Sequence, residues 1–208
     1  MLLNSFKQIN AYYYFKVMNN IIFFGDSLTA GYGLAHAANE SFPALIQHKI
    51  NEANLPYQVI NAGLSGDTTS GGLNRLDYWL NQPADVFILE LGINDAICGV
   101  SSATIQQNLQ QIIDRVKAKY PAIKIALMGM QLPHFVPGWR VAGFRNTFNS
   151  LADKNQIAFV PFFLEGVAGR KHLNLRDGLH PSAEGYKVIA DNVWPVIEKL
   201  LVKLTFTP

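Results

Sequence analysis

A serine hydroxyl attacks a carbonyl well only when a neighbouring base takes its proton, so the pattern to look for is a serine with a histidine and an acid. Ser27 stands in "IIFFGDSLTAGYG" (21–33), where an apolar run ends abruptly in Gly-Asp-Ser. Of the five histidines, His36, His48, His134, His172 and His180, only the last shares a compact motif with a carboxylate, "RDGLHP". Asp177 and His180 are three residues apart, about one turn, so the carboxylate can accept from Nδ1–H and leave Nε2 for the serine proton. The intermediate of such an attack needs donors for its oxyanion. The backbone N–H groups of Ser27 and Gly63 and the side-chain amide of Asn94 are the candidates, from "GDS", "NAGLSGD" and "GIND". A glycine lets the backbone approach a substrate, and an asparagine donates without adding charge.

Residues so far apart in sequence can meet only if the fold brings them together. Apolar runs at 20–24, 57–61, 85–91, 123–130 and 157–163 alternate with helical periodicity at 41–53, 69–82, 103–120, 139–155 and 182–201. In the third helical segment Ile105, Leu109, Ile112, Ile113 and Val116 fall on one stripe. In the last, Tyr186, Ile189, Val193, Ile197 and Leu200 do so, and Pro195 predicts a kink or break. The alternation implies βαβ units: a three-layer α/β/α sandwich on a five-stranded parallel sheet, with flavodoxin-like order 2-1-3-4-5. In such a sheet the carboxyl ends of the strands share one edge, and "GDS", "NAGLSGD" and "GIND" each follow a strand. A bare helix cap at Ser27 would not explain that convergence.

Neighbouring residues have plainer readings. Asp26 and Asp95 are expected to brace turns or cap helices, and Asp67 with Thr68 and Thr69 to open a helix. Ser65 lacks a paired base, and Cys98, with no histidine beside it in sequence, reads as a small buried hydrophobe. His172 has no metal-ligand spacing, and no nucleotide-binding motif is present. The segment 131–144, with Phe135, Trp139 and Phe144, is either a loop folded over the core or an apolar pocket wall.

The 208 residues, 49% of them hydrophobic and 15% charged, fit one globular domain over 18–208. Residues 1–17 read as an extension, poorly ordered or packed as an arm, or as preceding a true start at Met18. A net charge of +2 without a basic block argues against nucleic acid. One cysteine excludes an intrachain disulfide. With no export signal or spanning segment evident, the expectation is a cytoplasmic monomer or small homo-oligomer without stable membrane insertion.

"GDSLTAGYG", "NAGLSGD", "LGIND" and "DGLHP", in this order, resemble the conserved blocks of the SGNH (GDSL) hydrolases, in particular their thioesterase/lysophospholipase/arylesterase branch. The likeness covers about residues 20 to 200. It implies a serine hydrolase of esters or thioesters that uses no metal or organic cofactor. It further implies Ser27 as nucleophile, Asp177 and His180 as its partners, and Ser27, Gly63 and Asn94 as the oxyanion hole. Medium or long acyl esters, lysophospholipids and acyl-CoA are the implied substrates. The alternatives are a carbohydrate O-acetyl esterase on the same scaffold and a non-catalytic acyl- or lipid-binding protein. One departure concerns "GINDAICG", with Ala96 and Cys98 where relatives often carry Gly and Arg, at the lip of the pocket.

Overall fold

The computed structural model describes residues 18–132 and 138–205. The extension at 1–17, Phe135 and the last residues lie outside that set. Five parallel strands form one sheet in the order β2-β1-β3-β4-β5: β1 (Asn19–Gly25), β2 (Tyr57–Gly63), β3 (Val86–Glu90), β4 (Lys124–Met128) and β5 (Ala158–Val160). The expected order therefore holds. Ile21, Ile22, Phe23 and Phe24 of β1 and all of β3 are buried, as strands covered on both faces must be.

Eight helices are described: α1 (Ser27–Ala30), α2 (Ala37–Glu40), α3 (Phe42–Glu52), α4 (Thr69–Trp79), α5 (Ile93–Ile97), α6 (Ser102–Lys119), α7 (Gly138–Asn155) and α8 (Ala183–Thr205). Right-handed crossovers in this strand order send the helices to two faces. Accordingly α3 packs with α8, whereas α6 packs with both α4 and α7. The predicted stripe of α6 is buried throughout, and Ser101 caps the helix by accepting from the Thr104 N–H at 3.1 Å.

Two expectations are narrowed and three short helices are added. No break occurs in α8, which runs through Pro195. Proline removes one helical hydrogen bond there, while Val193 and Ile197 on either side are fully buried and hold the helix down. The fifth strand is shorter than its apolar run and ends at Val160, beyond which the Gly129 carbonyl accepts from the Phe163 N–H at 2.8 Å. The short helices α1, α2 and α5 had no periodicity long enough to announce them.

The outer edge of β2 is closed by side chains. Gln47 of α3 accepts from the Val59 N–H at 2.7 Å and donates to the Tyr57 carbonyl at 3.2 Å. The Gly63 N–H donates to Asn61 Oδ1 at 3.0 Å. Gly63 itself lies against α1: a Cβ there would come within 2.2 Å of the Ala30 nitrogen and 2.7 Å of its Cα. Backbone atoms cannot swing aside, so Gly63→Ala is expected to lower stability by about 2 kcal/mol or more. Urea unfolding with an unchanged m-value checks this; an unaltered midpoint would contradict the packing.

Candidate active site

The turn that carries Ser27 is built by close packing at the end of β1. A Cβ on Gly25 would lie 2.1 Å from Thr29 Oγ1 and 2.6 Å from the Glu90 carbonyl, so only glycine fits. The Gly25 carbonyl accepts from the Leu64 N–H at 3.0 Å and from Arg75 Nη2 at 2.9 Å, which ties β1 to the loop after β2. Asp26, not Ser27, is the N-cap of α1: its Oδ1 accepts from the Leu28 N–H at 2.9 Å. Ser27 is the first helical residue, where the N–H has no intrahelical partner. From below, the Tyr186 hydroxyl of α8 donates to the Leu28 carbonyl at 2.8 Å.

His180 is delivered by the segment leading into α8. The stretch doubles back on itself through an antiparallel bridge between Asn174 and Pro181 and an N–H from Leu175 to the His180 carbonyl at 2.7 Å. Within it Asp177 Oδ1 accepts from the N–H groups of Leu179 at 2.9 Å and His180 at 3.0 Å. Its other oxygen, Oδ2, lies 2.7 Å from His180 Nδ1. A carboxylate only accepts, so Nδ1 carries the proton and Nε2 is the acceptor. Ser27 Oγ lies 2.8 Å from Nε2 and donates to it. Desolvation pulls Asp177 upward, but the bonds from the His180 ring and the two N–H groups together hold it down at about 2. Its contribution to stability is therefore complete above the ordinary carboxylate range and is lost as pH falls toward that value. The Tyr32 ring packs on the imidazole, with centroids 4.7 Å apart.

Asn94 lies at the start of α5, which follows β3 after Gly92 at φ +122. Its Nδ2 donates to Asp26 Oδ2 at 3.1 Å and to the Asp67 carbonyl at 2.8 Å. The amide thus lies between the Ser27 turn and the loop after β2. Ser27, His180, Asp177 and Asn94 come together as expected. Gly63 does not join them as a donor, because its N–H is held by Asn61 on the outer edge.

Three residues beyond it, Gly66 occupies the third position of a turn closed by the Asp67 N–H to the Leu64 carbonyl at 3.1 Å. Its φ of +79 is the value that such a turn reserves for glycine. The N–H groups of Leu64, Asp67, Thr68 and Thr69 all have acceptors, whereas that of Gly66 has none among the described residues. The loop is anchored by Arg75, whose guanidinium donates to Asp67 Oδ2 at 2.6 Å and to the Ala62 carbonyl at 2.8 Å.

The plainer readings hold for the neighbours other than Cys98. Asp95 accepts from the Thr69 N–H and hydroxyl at 2.8 and 2.6 Å, and Thr68 caps α4. Ser65 is exposed in its loop; Cys98, in contrast to the buried apolar residue expected, is exposed at the end of α5. No cluster of three His, Cys, Asp or Glu suited to a metal exists among the described residues. In the segment 131–144, Phe144 is buried edge-on against Phe148, so that end belongs to the core rather than to a pocket wall. Sequence reasoning missed Gly66, Arg75 and Glu90. A signal existed for Glu90, since a carboxylate inside "DVFILEL" must be buried with the strand. Near the site Tyr32, packed on the His180 ring, Leu179, next to His180 in the chain, and Leu64, in the loop carrying Gly66, are exposed large apolar side chains, as is Ile97 at the end of α5.

Known proteins share this arrangement of strands and motifs. A match to the GDSL-like Lipase/Acylhydrolase family spans residues 23–188. Esterase TesA of Pseudomonas aeruginosa is 37% identical over 179 residues, covering 85% of this chain and 87% of its own. The thioesterase 1/protease 1/lysophospholipase L1 of Escherichia coli K12 is 33% identical over 174 residues, or 83% of this chain and 80% of that protein. The crystal structure of TesA superposes with a TM-score of 0.83 at 34% identity, over 88% of this chain and 100% of the other. No helix among the described residues is long and apolar enough to cross a membrane. By sequence and by fold, the chain belongs to the GDSL-like lipase/acylhydrolase family.

Proposed function

We propose that this hydrolase cleaves acyl esters or thioesters through an acyl-enzyme on Ser27, and the observation that carries the reading is the continuous chain Ser27 Oγ–His180–Asp177 at 2.8 and 2.7 Å. His180 Nε2 takes the hydroxyl proton as Oγ attacks the carbonyl carbon, and the imidazolium is stabilised by ionised Asp177. Negative charge collects on the carbonyl oxygen. The donors that meet it are the N–H of Ser27, the N–H of Gly66 in place of Gly63, and Asn94 Nδ2, which shares with the oxyanion the proton that the Asp67 carbonyl accepts in the free enzyme. His180 then passes its proton to the leaving alcohol or thiol. Water, activated by the same nitrogen, attacks the acyl-enzyme and frees the acid.

The exposed apolar side chains beside the site residues support the substrate class: Tyr32 packs on the His180 ring, Leu179 precedes His180 in the chain, and Leu64 lies in the loop that carries Gly66. Such surface suits a medium or long acyl chain. The names of the relatives, esterase and thioesterase/lysophospholipase, agree with this class. An O-acetyl esterase would need no such surface, and a binding protein would need no aligned Ser-His-Asp chain.

Ser27→Ala is expected to abolish hydrolysis of p-nitrophenyl esters, and Asn94→Ala to lower kcat roughly 100-fold with the fold intact by circular dichroism. Equal rates for wild type and Ser27→Ala would favour a binding protein. In a panel from acetyl to palmitoyl esters and their CoA thioesters, kcat/KM should rise with chain length beyond acetyl; a maximum at acetyl would favour the sugar esterase. Activity should fall on acidification, since protonated His180 cannot accept from Ser27, while Asp177 remains ionised down to about pH 2. A profile flat from neutral pH into acid would remove histidine as the base.

A further inference from the structure

Glu90, the last residue of β3, is 1% exposed and ends a strand that is otherwise wholly apolar. Its Oε2 accepts from the Asp26 N–H at 3.2 Å and from the Thr29 hydroxyl at 2.8 Å. Its Oε1 is sealed from solvent and has no hydrogen-bond partner among the described residues. Asp26 is equally enclosed, but its carboxylate is well supplied: Leu28 N–H on Oδ1 and the Asn94 amide on Oδ2. Among the described residues no cation is bonded to either group. The guanidinium of Arg75 is taken up by Asp67 and by the carbonyls of Ala62 and Gly25. Two ionised carboxylates side by side in such surroundings repel strongly, and a charged oxygen without a donor is costly.

We propose that Glu90 is a neutral carboxylic acid in the folded protein, the proton-bearing member of a buried pair with Asp26, and that this pair fixes the amide of Asn94. The function assigned to Glu90 is that of a positioning residue, and it rests on the reading of Asn94 as an oxyanion donor. Asp26 Oδ2 and the Asp67 carbonyl are both acceptors, so Asn94 can present only its NH2 to them. A flipped side chain would set its oxygen against two others. The proton on Glu90 keeps the negative charge behind the oxyanion site at one rather than two. Burial pushes both carboxyls upward, and the charge of Asp26 adds to the rise at Glu90. The other groups facing the pair do not neutralise it. Tyr186 is itself held neutral by burial and by these acids, while His180 and Asp67 act on Asp26 in opposite directions.

A proton held by Glu90 in the native state and absent from the unfolded state makes folding take up one proton. Above the ordinary glutamate range, wild type should therefore lose stability with rising pH relative to Glu90→Gln, which cannot titrate. Denaturant unfolding of both proteins between pH 6 and 8 reads this directly. The expected ratio of their folding constants shifts about tenfold per pH unit in favour of Glu90→Gln. A ratio independent of pH would show Glu90 ionised in both states and overturn the proposal, whatever the activity of the enzyme.

The positioning role has its own measurement. Glu90→Gln keeps an oxygen for Thr29 and the Asp26 N–H and adds no charge beside Asp26, so kcat should stay within about threefold of wild type. Glu90→Leu removes that oxygen and should lower kcat tenfold or more with KM little changed. Asp26→Asn, should Glu90→Leu fail to fold, tests the same point: one amide oxygen cannot serve both Leu28 and Asn94, so kcat should again fall tenfold or more. Loss of activity in Glu90→Gln as large as in these variants, or full activity in a folded Glu90→Leu or in Asp26→Asn, would overturn the role. The Ser27→Ala and Asn94→Ala measurements fail separately if the hydrolase reading itself is wrong.

Discussion

The contact between Ser27 Oγ and His180 Nε2 joins residues 153 positions apart, and much of the fold can be understood as what holds that distance. Neither side chain is long, so the turn at the end of β1 and the segment before α8 must each be placed to within a few tenths of an ångström. The turn is fixed by the tight fit of Gly25 and by the cap from Asp26. The histidine segment is fixed by its bridge at Asn174 and Pro181. A third bond, from the Tyr186 hydroxyl to the Leu28 carbonyl, ties the two halves together directly beneath the site. Because Tyr186 lies in the first turns of α8, the burial of that helix on the sheet also clamps the nucleophile.

Charge is distributed with equal economy around the rim. Asp177 is exposed to several donors and stays ionised, which suits a group that must face an imidazolium. The carboxylates behind Ser27 are enclosed and face each other. Arg75, which could have neutralised them, is directed instead at the loop carrying Gly66, where its bonds to Gly25 and Ala62 hold two strand ends and Asp67 together. Acids at one edge of one sheet therefore have opposite environments, set by which strand or turn supplies their N–H donors.

Much of this could be read before any coordinates. The alternation of apolar runs and helical stripes reports a parallel sheet covered on both faces because buried strands and amphipathic helices follow periods that the side chains themselves display, whereas the strand order was an analogy with flavodoxin-like folds. Ser27, Asp177, His180 and Asn94 were legible because each occurs in a short motif after a strand or before a helix. The glycine proposed as the oxyanion donor was not. Gly63 and Gly66 stand in the same short stretch, and only the outward direction of the Gly63 N–H and the positive φ of Gly66 separate them. Phe144 was ambiguous for a similar reason: periodicity shows that a residue is apolar, not whether it faces a pocket or the core. Glu90 and Arg75 depend on partners distant in sequence, which no local pattern contains.

The side chains along β2 have a consequence for the behaviour of the molecule in a crowded solution. An outermost strand presents a row of unpaired backbone groups on which another polypeptide can extend the sheet. Here Gln47 occupies the Val59 N–H and the Tyr57 carbonyl, and Asn61 occupies the N–H of Gly63. Two amide side chains thus imitate the missing neighbour strand, and intermolecular sheet growth from this margin would first have to displace bonds that the chain already makes with itself.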